Sequence, residues 1–431
     1  MSEKYIPKAS YNFRNNTQNN QGYQSENVSD NTLENVSENV SENVSENAPQ
    51  EQSFEPIENF DNAGLEDDLL RGIYSYGYEK PSFIQQKAIR PFLSGRDIIA
   101  QAQSGTGKTA TFAIGVLQSI NREIKETQAI IISPTRELAN QTYIVLDQLG
   151  RYTGITNALI IGGTSIKENY QKLDSRPQII IGTPGRIYNM ICKSKLYTNN
   201  IKCLVLDEAD EMLSKGFEEQ IRNIFTKCPE DVQVGLFSAT MSEDFFRITS
   251  QFMRNPIKIL VKNDELTLEG IKQFYIHMVR DEYKFSALCD LYETFTISQT
   301  ILYCNSKRTV EYLQERLQEN NFSNAYIHGE MDQESRRDIM DRFRSGGIRM
   351  LISTDLLCRG IDVQQVSIVI NYEVPFRIEN YIHRIGRSGR YGRKGVAINF
   401  ANDREIGIIK EIERYYSTVI DEMPSNISDF L

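Results

Sequence analysis

The chain lacks most of the features that would send it to a membrane, a metal or an oxidising compartment. No apolar run approaches the roughly 18 residues of a membrane-spanning helix. The opening residues, MSEKYIPKAS, hold no apolar core of a secretion signal. The six cysteines (Cys192, Cys203, Cys228, Cys289, Cys304 and Cys358) form no C-x-x-C pair. That spacing argues against zinc and fits a reduced, intracellular protein. Excess positive charge is missing too. The formal net charge is −10 over 431 residues, so any nucleic-acid contact must come from local positive charge and be modest in strength. What is present is apolar residues, 40% of the chain, enough to bury cores in two or three domains.

Composition shifts sharply near residue 53. Residues 1–53 are rich in Asn, Gln, Ser and Glu, and ENVS recurs at 26–29, 34–37, 38–41 and 42–45. Residues 1–52 hold 8 acidic against 3 basic residues. With so few large apolar side chains, such a tail cannot offset its ordering entropy and is expected to be disordered. Each ENVS contains N-x-S, a glycosylation acceptor pattern, which without a secretory route is incidental to the repeat.

Beyond the tail, short apolar runs alternate with amphipathic stretches. DIIA (97–100), AIII (129–132), NALII (157–161), QIII (178–181), CLVL (203–206) and QVGLF (233–237) are apolar beyond at most one polar first residue, as parallel strands buried on both faces are. The rhythm pauses over a charged stretch, NPIKILVKNDELTLEG (255–270). It resumes with QTILYC (299–304), NAYI (324–327), RMLIS (349–353), VSIVI (366–370) and GVAINF (395–400). The pattern predicts an α/β fold of two parallel-sheet domains, 54–257 and 270–431, joined by a linker at 258–269. The polar signatures follow the strands, where ligands of such sheets bind.

AQSGTGKT (102–109) follows the first run. It fits the phosphate-loop pattern G-x-x-x-x-G-K-[ST], with Ala102 at the first position. Around Ser104 and Thr106, Gly105 and Gly107 let backbone N–H groups turn toward an anion. Lys108 can reach the β- and γ-phosphates, and Thr109 can ligate Mg²⁺ at the positive end of the next helix. A second carboxylate at a strand end completes such a metal site. Asp207 supplies it, directly after CLVL. Glu208 beside it could accept a proton from an attacking water. Taken alone, the two acids read equally well as an ordinary helix N-terminal turn; behind a phosphate loop, the ATPase reading dominates. In YIHRIGRSGRYGRK (381–394), Arg387 and Arg390 stand three apart between glycines and could face one site. Arginines supplied by a second domain would make hydrolysis conditional on domain closure.

At this point the chain resembles a known family. Asp207–Asp210 spell DEAD, and around it in order stand GYEKPSFIQ (77–85), AQSGTGKT, PTRELA (134–139), GG (162–163), TPGR (183–186), SAT (238–240), QESR (333–336), STD…RGID (353–362) and HRIGRSGR (383–390). The set resembles the DEAD-box ATP-dependent RNA helicases over residues 54–431. It is similar in particular to the group of translation initiation factor 4A and its exon-junction-complex paralogue. The resemblance implies two tandem RecA-like domains and several roles. Gln85 would read the adenine edge. Phe60 would stack on the base, or simply anchor the first helix. Asp362 would contact the ribose. Ser238, Thr240 and His383 would couple nucleotide to RNA. RNA would be held through its backbone by Thr135, Arg136, Gly163, Thr183 and Arg186 in the first domain and by Arg336 and Thr354 in the second, with low sequence selectivity.

The expectation is therefore an RNA-stimulated ATPase using ATP and Mg²⁺ to clamp RNA and separate short duplexes. Its setting would be translation initiation or mRNA processing, as a monomer in the cytoplasm or the nucleus. Protein partners would be of the initiation or exon-junction type. The rivals are an ATP-locked RNA clamp that serves as an assembly platform, and an ATPase directed by DNA or by no nucleic acid.

Overall fold

The computed structural model describes residues 54–103, 105–213, 216–260, 271–294, 299–357, 366–388 and 395–424. The tail therefore lies outside the described residues. So do Ser104, Asp362, Arg390 and most of the linker.

Two sheets of seven strands organise the rest. The first is built from β1 (Ile98–Gln101), β2 (Ala129–Ile132), β3 (Asn157–Ile160), β4 (Ile179–Gly182), β5 (Cys203–Asp207), β6 (Gln233–Ser238) and β7 (Ile257–Ile259). Its order is β3-β4-β2-β5-β6-β1-β7. The second contains β8 (Ile271–His277), β9 (Thr300–Tyr303), β10 (Ala325–Ile327), β11 (Met350–Ser353), β12 (Ile368–Asn371), β13 (Gly395–Ala401) and β14 (Asp421–Glu422). Its order is β10-β11-β9-β12-β13-β8-β14, the first order repeated seven strands later. All the recorded pairings are parallel, as the apolar runs required.

Central strands are buried along their whole length, for example β2, β4 and β5, whereas edge strand β3 alternates. A strand covered by helices on both faces has no polar side to show; an edge strand does. The helices are α1 (Asp67–Tyr76), α2 (Phe83–Leu93), α3 (Lys108–Ser119), α4 (Arg136–Leu149), α5 (Ile166–Asp174), α6 (Pro184–Cys192), α7 (Ala209–Met212), α8 (Glu218–Phe225), α9 (Glu243–Thr249), α10 (Tyr283–Thr294), α11 (Lys307–Glu319), α12 (Gln333–Arg344), α13 (Ile378–Ile385) and α14 (Asp403–Tyr416). Among the described residues, no helix is long and apolar enough to cross a membrane.

Local chemistry starts the helices where the motifs stand. Thr135 caps α4 by accepting from Leu138 N at 3.2 Å. Asp332 caps α12 by accepting from Ser335 N at 2.9 Å. Pro184 opens α6, where its missing N–H costs nothing. Three short or polar strands differ from the sequence reading. The run read as linker contains β7, whose Lys258 and Ile259 pair with Ile99 and Ala100 of β1. β8 and β14 carry no continuous apolar run.

Candidate nucleotide and RNA site

The phosphate loop leaves β1 and enters α3. Gly105 and Gly107 have φ of 85° and 105°, a region that favours glycine. A Cβ on Gly107 would lie 2.7 Å from Gln85 Nε2 and 2.9 Å from Ser82 Oγ. The loop therefore rests on the first turn of α2, with Gln85 beside it. Gln85 is held there because its Oε1 accepts from Ser82 N at 2.8 Å.

Lys108 is 6% exposed, and its Nζ has no hydrogen-bond partner among the described residues. It stands 3.7 Å from Glu208 Oε2. Since β6 alone separates β1 from β5, the sheet brings the phosphate loop and the DEAD segment to one edge. Glu208 adopts φ 50°, unusual for a residue with a Cβ, at the strand-to-helix turn. Burial, and then the neighbouring Glu208, lift Asp207 to about 7. A buried cation lacking a hydrogen-bond acceptor and a carboxyl raised by a second carboxylate are complementary wants. A phosphate would satisfy Lys108, and a divalent cation would satisfy Asp207, so these residues fit ATP with Mg²⁺.

The third member of the site was not singled out from the sequence. Asp210, on α7, accepts from Ser238 Oγ through Oδ1 and from Thr240 Oγ1 through Oδ2, the latter at 2.7 Å. His383 Nε2 of α13, in the second domain, lies 3.5 Å from Asp210 Oδ2. Ser238, Thr240 and His383 thus meet at one carboxylate, with atoms of Glu208, Asp210 and His383 all within 4.8 Å of one another. Arg387 is buried just beyond α13, its Nε donating to His383 O at 3.1 Å.

The RNA candidates gather elsewhere. Thr135, Arg136, Thr183, Arg186 and Arg336 line one cleft of about 570 Å³. Gly163 sits under Arg136, where a Cβ would fall 2.3 Å from Nη1. Burial and the nearby Arg136 lower the Arg186 guanidinium from its ordinary value, a sign of crowded positive charge. Thr354 follows β11, two residues before Leu356 of the same cleft. The glycine pair and the TPGR segment are brought together by a hydrogen bond from Gly162 N to Thr183 Oγ1 at 3.2 Å.

Two residues make contacts that the resemblance did not foretell. Phe60 is fully buried (0% exposed) and meets Tyr74 of α1 edge to face at 6.4 Å. Its ring offers no open face to a base, so its packing is that of an anchor for α1. Arg336 is buried and bonded through Nη2 to Glu137 Oε2 of α4, while Arg136 Nη1 donates to Gln333 Oε1 at 3.1 Å. The guanidinium of Arg336 thus joins the domains at the wall of that cleft. No sequence signal singled out Glu137 as its partner.

Comparison with known proteins agrees with this geometry. The DEAD/DEAH box helicase family matches residues 82–248, and the helicase conserved C-terminal domain matches residues 283–392. Eukaryotic initiation factor 4A of Caenorhabditis elegans is 54% identical over 375 residues, 87% of this chain and 93% of that one. The factor of the same name from Drosophila melanogaster is 55% identical over 377 residues, 88% of this chain and 94% of that one. Among solved structures, S. cerevisiae Dbp5 bound to RNA and ADP BeF3 has a TM-score of 0.82 at 36% identity, covering 86% of this chain and 97% of that one. With two matched domains in tandem over one continuous fold, the chain belongs to the DEAD-box helicase family.

Proposed function

We propose that the chain is an RNA-stimulated ATPase that closes on RNA, separates short duplexes locally and reopens on hydrolysis. As a DEAD-box helicase similar to initiation factor 4A, it is an ATP-dependent RNA helicase. Gln85 selects adenine, the turns at Gly105 and Gly107 cradle the phosphates, and Lys108 neutralises them. Thr109 and Asp207 would hold Mg²⁺, which when bound spreads positive charge over the β- and γ-phosphate oxygens. Glu208 accepts the proton of the attacking water. Arg387, with Arg390, comes from the second domain to the γ-phosphate. Asp362 binds the ribose.

RNA lies along Thr135, Arg136, Gly163, Thr183, Arg186, Arg336 and Thr354 and is held by its backbone, so it is bound with little regard to sequence. The observation that carries the reading is the meeting at Asp210 of Ser238 and Thr240 from one domain with His383 from the other. A carboxylate shared in this way senses whether the domains are together. Its neighbour Glu208 bears on the nucleotide, which links closure to chemistry.

The reading sets the reaction in translation initiation, which the names of the relatives support, and makes the enzyme a cytoplasmic monomer with initiation-factor partners. Strand-displacement assays on short duplexes test the reading. Separation with ATP, and a long-lived RNA complex with a non-hydrolysable analogue, is the expected result. Long-lived complexes without strand separation would favour a clamp.

A further inference from the structure

Helix α13 carries two kinds of residue side by side. His383 lies against Asp210 of the first domain, and Arg387 follows in the turn just past the helix end, its Nε donating to His383 O. Arg384 lies one position on from His383, about 100° around the helix. It turns away from the first domain into the second, and is 0% exposed.

Its guanidinium gathers the ends of three adjacent strands. Nε donates to Asp355 Oδ1, just past β11. Nη1 donates to Asn371 Oδ1 at the end of β12 (3.2 Å) and to Glu373 O (2.7 Å). Nη2 donates to Asn305 Oδ1 beyond β9 at 2.7 Å. The charge also lies 5.3 Å from the ring centre of Tyr303, whose hydroxyl donates to Leu357 O at 3.0 Å. Asn380 of the same helix donates to the other Asp355 oxygen at 2.8 Å.

A buried polar chain continues behind it. Asn371 donates to Asn399 at 2.8 Å, Asn399 to Tyr381 at 3.3 Å, Tyr381 to Gln273 at 2.9 Å and Gln273 to Thr418 at 2.8 Å. Tyr381 and Arg384, three apart, therefore pin one side of α13 to the sheet. A buried network with its members satisfied holds one arrangement and resists intermediate ones.

We propose that Arg384 is a positioning residue that locks the rotation of α13 to the segment Thr354–Asp355. Arg387 then reaches the nucleotide, with His383 held at Asp210, only when that segment sits as bound RNA holds it. The inference rests on the proposed roles of Thr354 at RNA and Arg387 at the γ-phosphate. A guanidinium suits the task because its planar fork fixes several acceptors at once; the ammonium of lysine keeps the charge and loses the fork.

A double-mutant cycle on the full chain tests this, comparing wild type, Arg384→Lys, Arg387→Ala and the double variant. ATPase is measured at saturating RNA over a range of ATP, beside thermal unfolding. Arg384→Lys should lower kcat by about tenfold or more while KM for ATP moves by less than about threefold. In the Arg387→Ala background the same change should cost less than about twofold, because Arg384 acts through Arg387. Asp355→Asn, close in shape to the native residue, should show the same pattern and replaces Arg384→Lys if that variant does not fold. A slowed but still measurable Arg387→Ala on which Arg384→Lys takes its full toll overturns the proposal alone. Undiminished turnover in Arg387→Ala refutes the placing of Arg387 at the phosphate and the proposal with it.

Discussion

Asp207 ends β5 with its carboxyl walled in, lifted to about 7 by burial and then by Glu208. The folded value lies above the ordinary value of about 4. Between these values the folded state binds more protons than the unfolded one, so the contribution of Asp207 to stability falls as pH rises through that window. Asp207→Asn should therefore raise the melting temperature of the ligand-free protein at pH 8 and leave it nearly unchanged near pH 4. The same variant should gain less from Mg²⁺ and ATP, which differential scanning calorimetry reads in one series. Glu208→Gln should lower turnover by about 10²-fold or more while ATP and RNA affinities, measured by fluorescence titration, hold. Lys108, Asp207 and Glu208 could be singled out in the sequence because the phosphate loop and the acid pair each come just after an apolar run. Asp210, Glu137 and Arg384 were not. Their chemistry depends on partners that only the packed domains supply, and an acid in DEAD or an arginine in a basic run looks the same without them.

The phosphate loop is an element whose shape depends on one backbone angle and one contact. Gly107→Ala would put a methyl 2.7 Å from Gln85 Nε2 at φ 105°, a strain of about 1–3 kcal/mol. ATP affinity should fall by about tenfold or more, read by calorimetric titration, with the melting temperature slightly lowered. Strand-by-strand, the apolar runs foretold the sheets well, since a strand buried on both faces shows itself in composition. β7 and β14 escaped notice because three and two residues with exposed or half-exposed side chains carry no such signal. β8 escaped because IKQFYIH mixes polar and apolar residues and flanks a charged stretch. Phe60 shows the opposite limit: a matching position in a motif names a residue, and packing decides what its ring touches.

At the scale of the whole molecule, the domains meet through Glu137–Arg336 and Arg136–Gln333 on one side and Asp210–His383 on the other. Removing Glu137 leaves Arg336 buried beside no carboxylate, a loss of about 3–5 kcal/mol when one partner of a buried pair is taken away. Glu137→Ala should therefore weaken RNA-stimulated turnover and strand separation much more than ATP binding, as stopped-flow nucleotide binding and displacement assays would show. A chain that binds RNA through only a few local arginines should also lose RNA affinity with salt, with a slope of about 0.7 per phosphate contact in log–log terms. The central claim is that neither domain hydrolyses ATP alone and that RNA holds the two together. It is tested most directly by steady-state ATPase of the full chain at saturating ATP, alone, with RNA, and with DNA of equal length. The account predicts at least about tenfold stimulation by RNA and little by DNA; equal rates in all three would contradict it.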